Sequence, residues 1–145
     1  PDDDETTIVH GDYRLDNMIL KNNEVIGILD WELSTLGHPI ADFSYHCLSW
    51  RTQEAFWDEA KLKELGIPSE KEYMEMYCEN SGKDLSKNWE FYMAFNMFKI
   101  AGILQGILGR VRDGTAASKH AEERGNMVFP LSQAAWTTIE DNFLK

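Results

Sequence analysis

His10-Gly11-Asp12-Tyr13-Arg14-Leu15-Asp16-Asn17-Met18-Ile19-Leu20-Lys21-Asn22-Asn23-Glu24-Val25-Ile26-Gly27-Ile28-Leu29-Asp30 is the stretch on which the fold turns. A polar loop, His10 to Asp16, runs into two short β-prone segments separated by Asn22-Asn23. Asparagine tolerates the positive φ of a two-residue hairpin turn, so the stretch predicts a β-hairpin. With that turn, Lys21 faces Glu24, Ile19 faces Ile26 and Asn17 faces Ile28. Strand alternation then projects Asn17, Ile28 and Asp30 from one face. Asn17 and Asp30 become diagonal neighbours, about 7–8 Å apart at the backbone, a span that one divalent ion can bridge. A three-residue turn would put them on opposite faces.

Outward from the hairpin the pattern becomes helical. Ile8-Val9 lead into the loop, and Pro39 suits the first turn of a helix through Trp50. Further helices are expected over 53–65 and 69–80, the second opening on the capping box Ser69-x-x-Glu72 and closing near Gly82. Trp89, Met93, Met97, Ile100, Leu104 and Ile107 step by three and four residues, predicting one long helix over 86–111. Its Gly102, Gly106 and Gly109 each cost about 1 kcal/mol relative to Ala, and close helix packing is the expected reason. Trp50, Trp57, Trp89 and Trp136 read as core or half-buried residues. A break near 109–115 precedes helices over 116–124 and from Pro130 to Leu144. The expected fold is mainly α with a small β-hairpin, and residues 1–145 fit a single domain.

Composition narrows the function. The chain has 145 residues, 43% hydrophobic and 12% aromatic, which is ordinary for a packed core. Only Pro1-Asp2-Asp3-Asp4-Glu5 reads as a loose acidic lead-in. A net charge of −11 repels polyanions, so nucleic acid and anionic membrane surfaces are poor partners. Nucleotide phosphates would need Mg²⁺ to screen them. Cys47 and Cys78 lack metal-ligand spacing and suit buried thiols in a reducing, intracellular compartment, with cytoplasm, mitochondrion and peroxisome all compatible. No run is expected to reach membrane-span length.

The polar residues carry the chemistry. Asp12, then Asn17, then Asp30 beyond a hairpin is the order kinases use: an Asp accepts the substrate hydroxyl proton, an Asn holds Mg²⁺, and a later Asp bridges metal to the phosphates. Phosphoryl transfer needs hard oxygen ligands and an acceptor that orients the incoming hydroxyl. Arg14 either steers an anionic substrate or pairs with Asp16. Glu32 either supports a metal or substrate, or caps the turn at Ser34-Thr35.

His10-Gly11-Asp12-Tyr13-Arg14-Leu15-Asp16-Asn17 resembles the His-Gly-Asp-x-x-x-x-Asn motif of the aminoglycoside phosphotransferase and choline-kinase-like family. Ile28-Leu29-Asp30-Trp31-Glu32 resembles its Ile-Asp-Trp/Phe-Glu segment, and Gly37-His38-Pro39-Ile40-Ala41-Asp42-Phe43 its Gly-Asp-Pro-x-x-Asp-Leu segment. Arg14 to Asn17, Trp31 to Thr35, and Lys99 to Gly106 look closest to the kinase-like portion of acyl-CoA dehydrogenase fusion proteins of that family. The resemblance implies the C-terminal lobe of a protein-kinase-like fold, using ATP and Mg²⁺ on a small-molecule hydroxyl. Asp12 would be the base or hydroxyl-orienting residue, Asn17 and Asp30 the metal ligands, His10 a catalytic-loop residue that braces the loop in preference to transferring a proton, and Asp42 the tie between loop and following helix.

Such a kinase also needs a strand-rich N-terminal lobe, for which Pro1 to Val9 has no room. The chain is therefore expected to be the catalytic lobe of a longer protein, inactive alone and prone to self-association through the exposed lobe interface. The rivals are a non-catalytic pseudokinase or docking module, and a plain helical interaction domain.

Overall fold

Asn22 and Asn23 both hold positive φ, 52° and 63°, and join strands β2 (Met18–Lys21) and β3 (Glu24–Ile28) as an antiparallel hairpin. The register starts as the turn dictates, Lys21 opposite Glu24 and Leu20 opposite Val25, and then slips. Ile19 faces Gly27 and Met18 faces Ile28, so Ile26 is the extra residue of a β-bulge. The expected pairings of Ile19 with Ile26 and of Asn17 with Ile28 are thereby displaced by one residue. Asn17 lies in a 3-10 turn, Leu15–Asn17, and its carbonyl accepts the Leu29 N–H at 2.8 Å. Strand alternation therefore does not govern Asn17 and Asp30. Their nearness at the backbone comes instead from the bond between Asn17 and Leu29, the residue just before Asp30.

This computed structural model describes residue 1 and residues 5–52 and 59–145. Residues 2–4 of the acidic lead-in, and residues 53–58 of the expected helix with Trp57, lie outside the described residues. The chain forms two compact units, Pro1–Trp89 and Glu90–Lys145.

In the first unit a second ribbon accompanies the hairpin. Strand β1 (Thr7–Val9) pairs antiparallel with β4 (Thr35–Gly37), where the sequence suggested only a turn. Val9 is buried, whereas the opposed Ile8 and Leu36 are 73% and 70% exposed, so only one face of this ribbon is covered. Helix α1 (Pro39–Cys47) starts with Pro39 in its first turn, and the His38 ring caps it by accepting the Ile40 N–H at 3.3 Å. Helix α2 (Ser49–Thr52) and helix α3 (Glu59–Glu64) are short. Helix α4 (Glu70–Ser81) has the full capping box of Ser69 and Glu72 and ends on Gly82 at φ 70°. Phe43 of α1 stacks on Tyr77 of α4 with ring centroids 3.9 Å apart, which fixes the helix that carries Asp42.

Helix α5 (Trp89–Arg112) enters the second unit, with Met93 and Met97 fully buried on the expected stripe and Ile100, Leu104 and Ile107 half-buried. Gly102, Gly106 and Gly109 do not mark close packing, because a Cβ at any of them would meet nothing within 4 Å. The tight glycine is Gly125, ending helix α6 (Ala121–Gly125), where a Cβ would lie 2.3 Å from Leu108. Helix α7 (Val128–Phe143) completes the unit, and its Trp136 is 52% exposed, not a packed core residue. By length and composition α5 is long and apolar enough to cross a membrane, contrary to the expectation from sequence. It has 33% of its most apolar window buried within the protein, and core helices of soluble proteins pass the same test.

Candidate functional site

β1 delivers the chain to His10, whose ring is buried and bonded on both sides. Its Nδ1 accepts the Asp12 N–H at 3.2 Å, which leaves Nε2 to carry the proton donated to the Leu29 carbonyl at 2.7 Å. The imidazole thus spans from the loop to the segment before Asp30. The Trp31 ring lies beside it, centroids 4.7 Å apart, and the Trp31 indole N–H donates to Ile28 at 2.9 Å.

Two further restraints fix the loop backbone. Asp42, in the first turn of α1, accepts the N–H of His10 on one carboxylate oxygen and that of Gly11 on the other, the latter at 2.8 Å. Gly11 sits at φ 85°, and a Cβ there would lie 2.5 Å from the Leu33 carbonyl oxygen. Only glycine lets the loop lie directly against the 3-10 turn Trp31–Leu33.

The Asp12 carboxylate is held at three points. Oδ1 accepts the Tyr45 hydroxyl at 2.6 Å. Oδ2 accepts the Asn17 amide at 3.0 Å and pairs with the Arg14 guanidinium at 3.3 Å. The Asn17 amide also reaches the Asp12 carbonyl, at 2.9 Å. Burial pushes the Asp12 carboxyl up, but the bonds from Tyr45 and Asn17 and the nearby Arg14 charge outweigh it and hold the group below its usual range. It is an ionised acceptor at neutral pH. Burial, the bond to Asp12 and the Asp12 charge together push the Tyr45 phenol well up, so it stays a proton donor.

Arg14 pairs with both Asp12 and, at 3.6 Å, Asp16, and its side chain is half exposed. Glu32 is exposed in the turn after Asp30, and among the described residues no hydrogen bond or ion pair engages its carboxylate, so it caps nothing at Ser34-Thr35. Asp30 has φ 63° and ψ 53°, the left-handed region. Such a conformation is disfavoured for a side-chain-bearing residue, and no hairpin turn explains it here as it does for Asn22 and Asn23.

Asn17 and Asp30 each present an oxygen of the kind Mg²⁺ takes. Asn17 spends its side-chain nitrogen Nδ2 on Asp12 and keeps its side-chain oxygen Oδ1, while the exposed Asp30 carboxylate enters no bond among the described residues. Among those residues, no cluster of three or more His, Cys, Asp or Glu side chains stands ready for a metal. Two protein oxygens, with phosphates and water completing the shell, is how Mg²⁺ is commonly held.

Sequence reasoning missed Tyr45. The available signal was helical spacing: Tyr45 follows Asp42 by three residues, on the same side of α1. It also assigned nothing to His46, whose ring bonds the Tyr73 hydroxyl at 3.2 Å and packs on Tyr13 with centroids 5.3 Å apart.

The chain is similar to known proteins in sequence and, for one solved structure, in fold. The family model described as "Phosphotransferase enzyme family" matches residues 1–77. Acyl-CoA dehydrogenase family member 10 of Mus musculus is 43% identical over 143 residues, covering 94% of this chain and 13% of that protein. Acyl-CoA dehydrogenase family member 11 of Homo sapiens is 39% identical over 140 residues, covering 92% of this chain and 18% of that protein. A crystal structure of a candidate aminoglycoside phosphotransferase from Ralstonia eutropha superposes with a TM-score of 0.84 at 45% identity, covering 94% of this chain and 43% of that one. The chain therefore spans less than a fifth of these two curated relatives and under half of the solved one.

Proposed function

The chain belongs to the phosphotransferase enzyme family, and on that premise we propose that it is the catalytic lobe of an ATP-dependent kinase acting on a hydroxyl of a small molecule. Asp12 accepts a hydrogen bond from the acceptor hydroxyl, aims its oxygen at the γ-phosphate and takes its proton as the oxygen–phosphorus bond forms and the bond from the γ-phosphorus to the β,γ-bridging oxygen breaks, releasing ADP. Asn17, through its side-chain carbonyl oxygen, and Asp30, through its carboxylate, would hold a Mg²⁺ that accompanies the nucleotide, and that ion would supply the positive charge phosphoryl transfer calls for. His10, Gly11 and Asp42 keep the loop rigid, so that Asp12 meets its acceptor without reorganising.

The observation that carries this is the triple restraint on one ionised carboxylate, with Asn17 forming one of the three contacts while keeping its carbonyl oxygen available. A turn aspartate needs no such cage. The left-handed Asp30 adds weight, because strain held at a polar, exposed position points to function.

Two acceptor classes have support: an acyl thioester with a free hydroxyl from the relatives named acyl-CoA dehydrogenase family members 10 and 11, and an aminoglycoside from the similar solved structure. The remaining parts of a kinase, a nucleotide-covering loop and a lysine for the phosphates, belong to a strand-rich lobe preceding these residues. The test is ADP formation by the full-length protein with Mg²⁺-ATP and a panel of hydroxyacyl thioesters, amino alcohols and aminoglycosides. Asp12→Asn should lower acceptor-dependent turnover on the order of 100-fold or more, leaving a measurable residual rate, while the protein stays folded. Turnover at the wild-type rate in that variant would end the proposal.

A further inference from the structure

We propose that Tyr45 is a positioning residue for phosphoryl transfer, its phenol hydroxyl at 2.6 Å from Oδ1 fixing the plane of the Asp12 carboxylate. The inference rests on the phosphotransfer role of Asp12 proposed above. A carboxylate swings about its last side-chain bond, and bonds to one oxygen leave that swing partly free. Asn17 and Arg14 both act on Oδ2, at 3.0 and 3.3 Å, and Tyr45 alone among these three acts on Oδ1. Each carboxylate oxygen has two acceptor sites. Tyr45 therefore takes one site on Oδ1 and leaves the other for the acceptor hydroxyl, whose approach is then set by the phenol.

The same helix carries both restraints. Asp42 holds the loop backbone at His10 and Gly11, and Tyr45, three residues later on α1, holds the side chain projecting from that loop. Loop and carboxylate are thus referenced to one rigid element, itself packed through Phe43 on Tyr77. A phenol serving only its own burial would need a partner, but not a carboxylate already bonded by two other groups.

Steady-state kinetics on the full-length protein, comparing wild type, Tyr45→Phe, Asp12→Asn and the double variant, tests this. Tyr45→Phe should lower kcat by about 10- to 100-fold, as misplacing a reacting group does, with KM for ATP and acceptor unchanged and thermal unfolding little altered. Adding Tyr45→Phe to Asp12→Asn should cause no further loss, because the phenol acts through Asp12. An active wild type with an unchanged Tyr45→Phe kcat overturns the role of Tyr45 alone, as does an equal fractional loss in both backgrounds. A wild type that transfers phosphate to no acceptor overturns the phosphotransfer proposal, and the role of Tyr45 falls with it.

Discussion

Between His10 and Tyr45 the chain is held by directional polar bonds that reach across some thirty residues, from Asp42 to His10 and from Tyr45 to Asp12. Between Glu90 and Phe143 it is held by helices whose apolar residues recur at helical spacing, with Met93 and Met97 buried and Phe98 exposed on α5. The two regions answer to different physics. In the first, each bond has one geometry and one partner, so a change of one atom alters chemistry. In the second, volume and periodicity decide, so substitutions alter stability and spare chemistry.

The sharpest way to break this contrast is at Asp30. Asparagine also tolerates the left-handed conformation, so Asp30→Asn should leave folding intact while lowering phosphate transfer on the order of 100-fold or more. Thermal unfolding and ADP formation, measured side by side on the full-length protein, separate the two effects. Met93→Ala should do the reverse. Its fully buried side chain makes a loss of about 2–5 kcal/mol in urea unfolding the expectation, with turnover per folded molecule unchanged. A comparable loss of turnover would mean that the helical region shapes the site.

Asp42→Asn should fall between these. An amide presents a donor to one of the two N–H groups that the carboxylate satisfies, leaving it unpaired at a cost of about 1–3 kcal/mol. Stability and turnover should drop together, because the loop itself loosens. The smallest effect is expected at His46. Burial holds its imidazole below the usual range, with the Tyr13 carbonyl opposing only in part. The unfolded chain therefore takes up a proton first as pH falls through about 6.5, so stability should decline there and level off below the folded-state value. His46→Gln should flatten that stretch of the profile of unfolding free energy against pH.

The regions also differ in what their sequence discloses. Helix α4 was legible from Ser69, Glu72 and Gly82, and α5 from its stripe, because capping and periodicity are local. The hairpin turn was legible for the same reason. The register beyond it was not, because a bulge depends on both strands at once. Gly27 was the one local hint, since a lone glycine within a strand pattern often marks a bulge. Strand β4 was invisible because three residues carry too little pattern, and its partner β1 lies far off in sequence. Asp12, Asn17 and Asp30 stood out by motif spacing, whereas Tyr45 contributes through a contact 33 residues away in the chain. The long-helix glycines misled because open space and tight packing look alike in sequence.

Ile8 and Leu36 lie exposed and opposed on the β1–β4 ribbon. The proposed metal site turns on two oxygen atoms. Anomalous diffraction from crystals of the full-length protein with Mn²⁺ and a non-hydrolysable ATP analogue tests it directly. The expected result is a metal peak within about 2–2.5 Å of the Asn17 side-chain oxygen and an Asp30 carboxylate oxygen. A peak held by other residues, with no metal at the Asn17 side-chain oxygen and with Asp30 facing solvent, would contradict it.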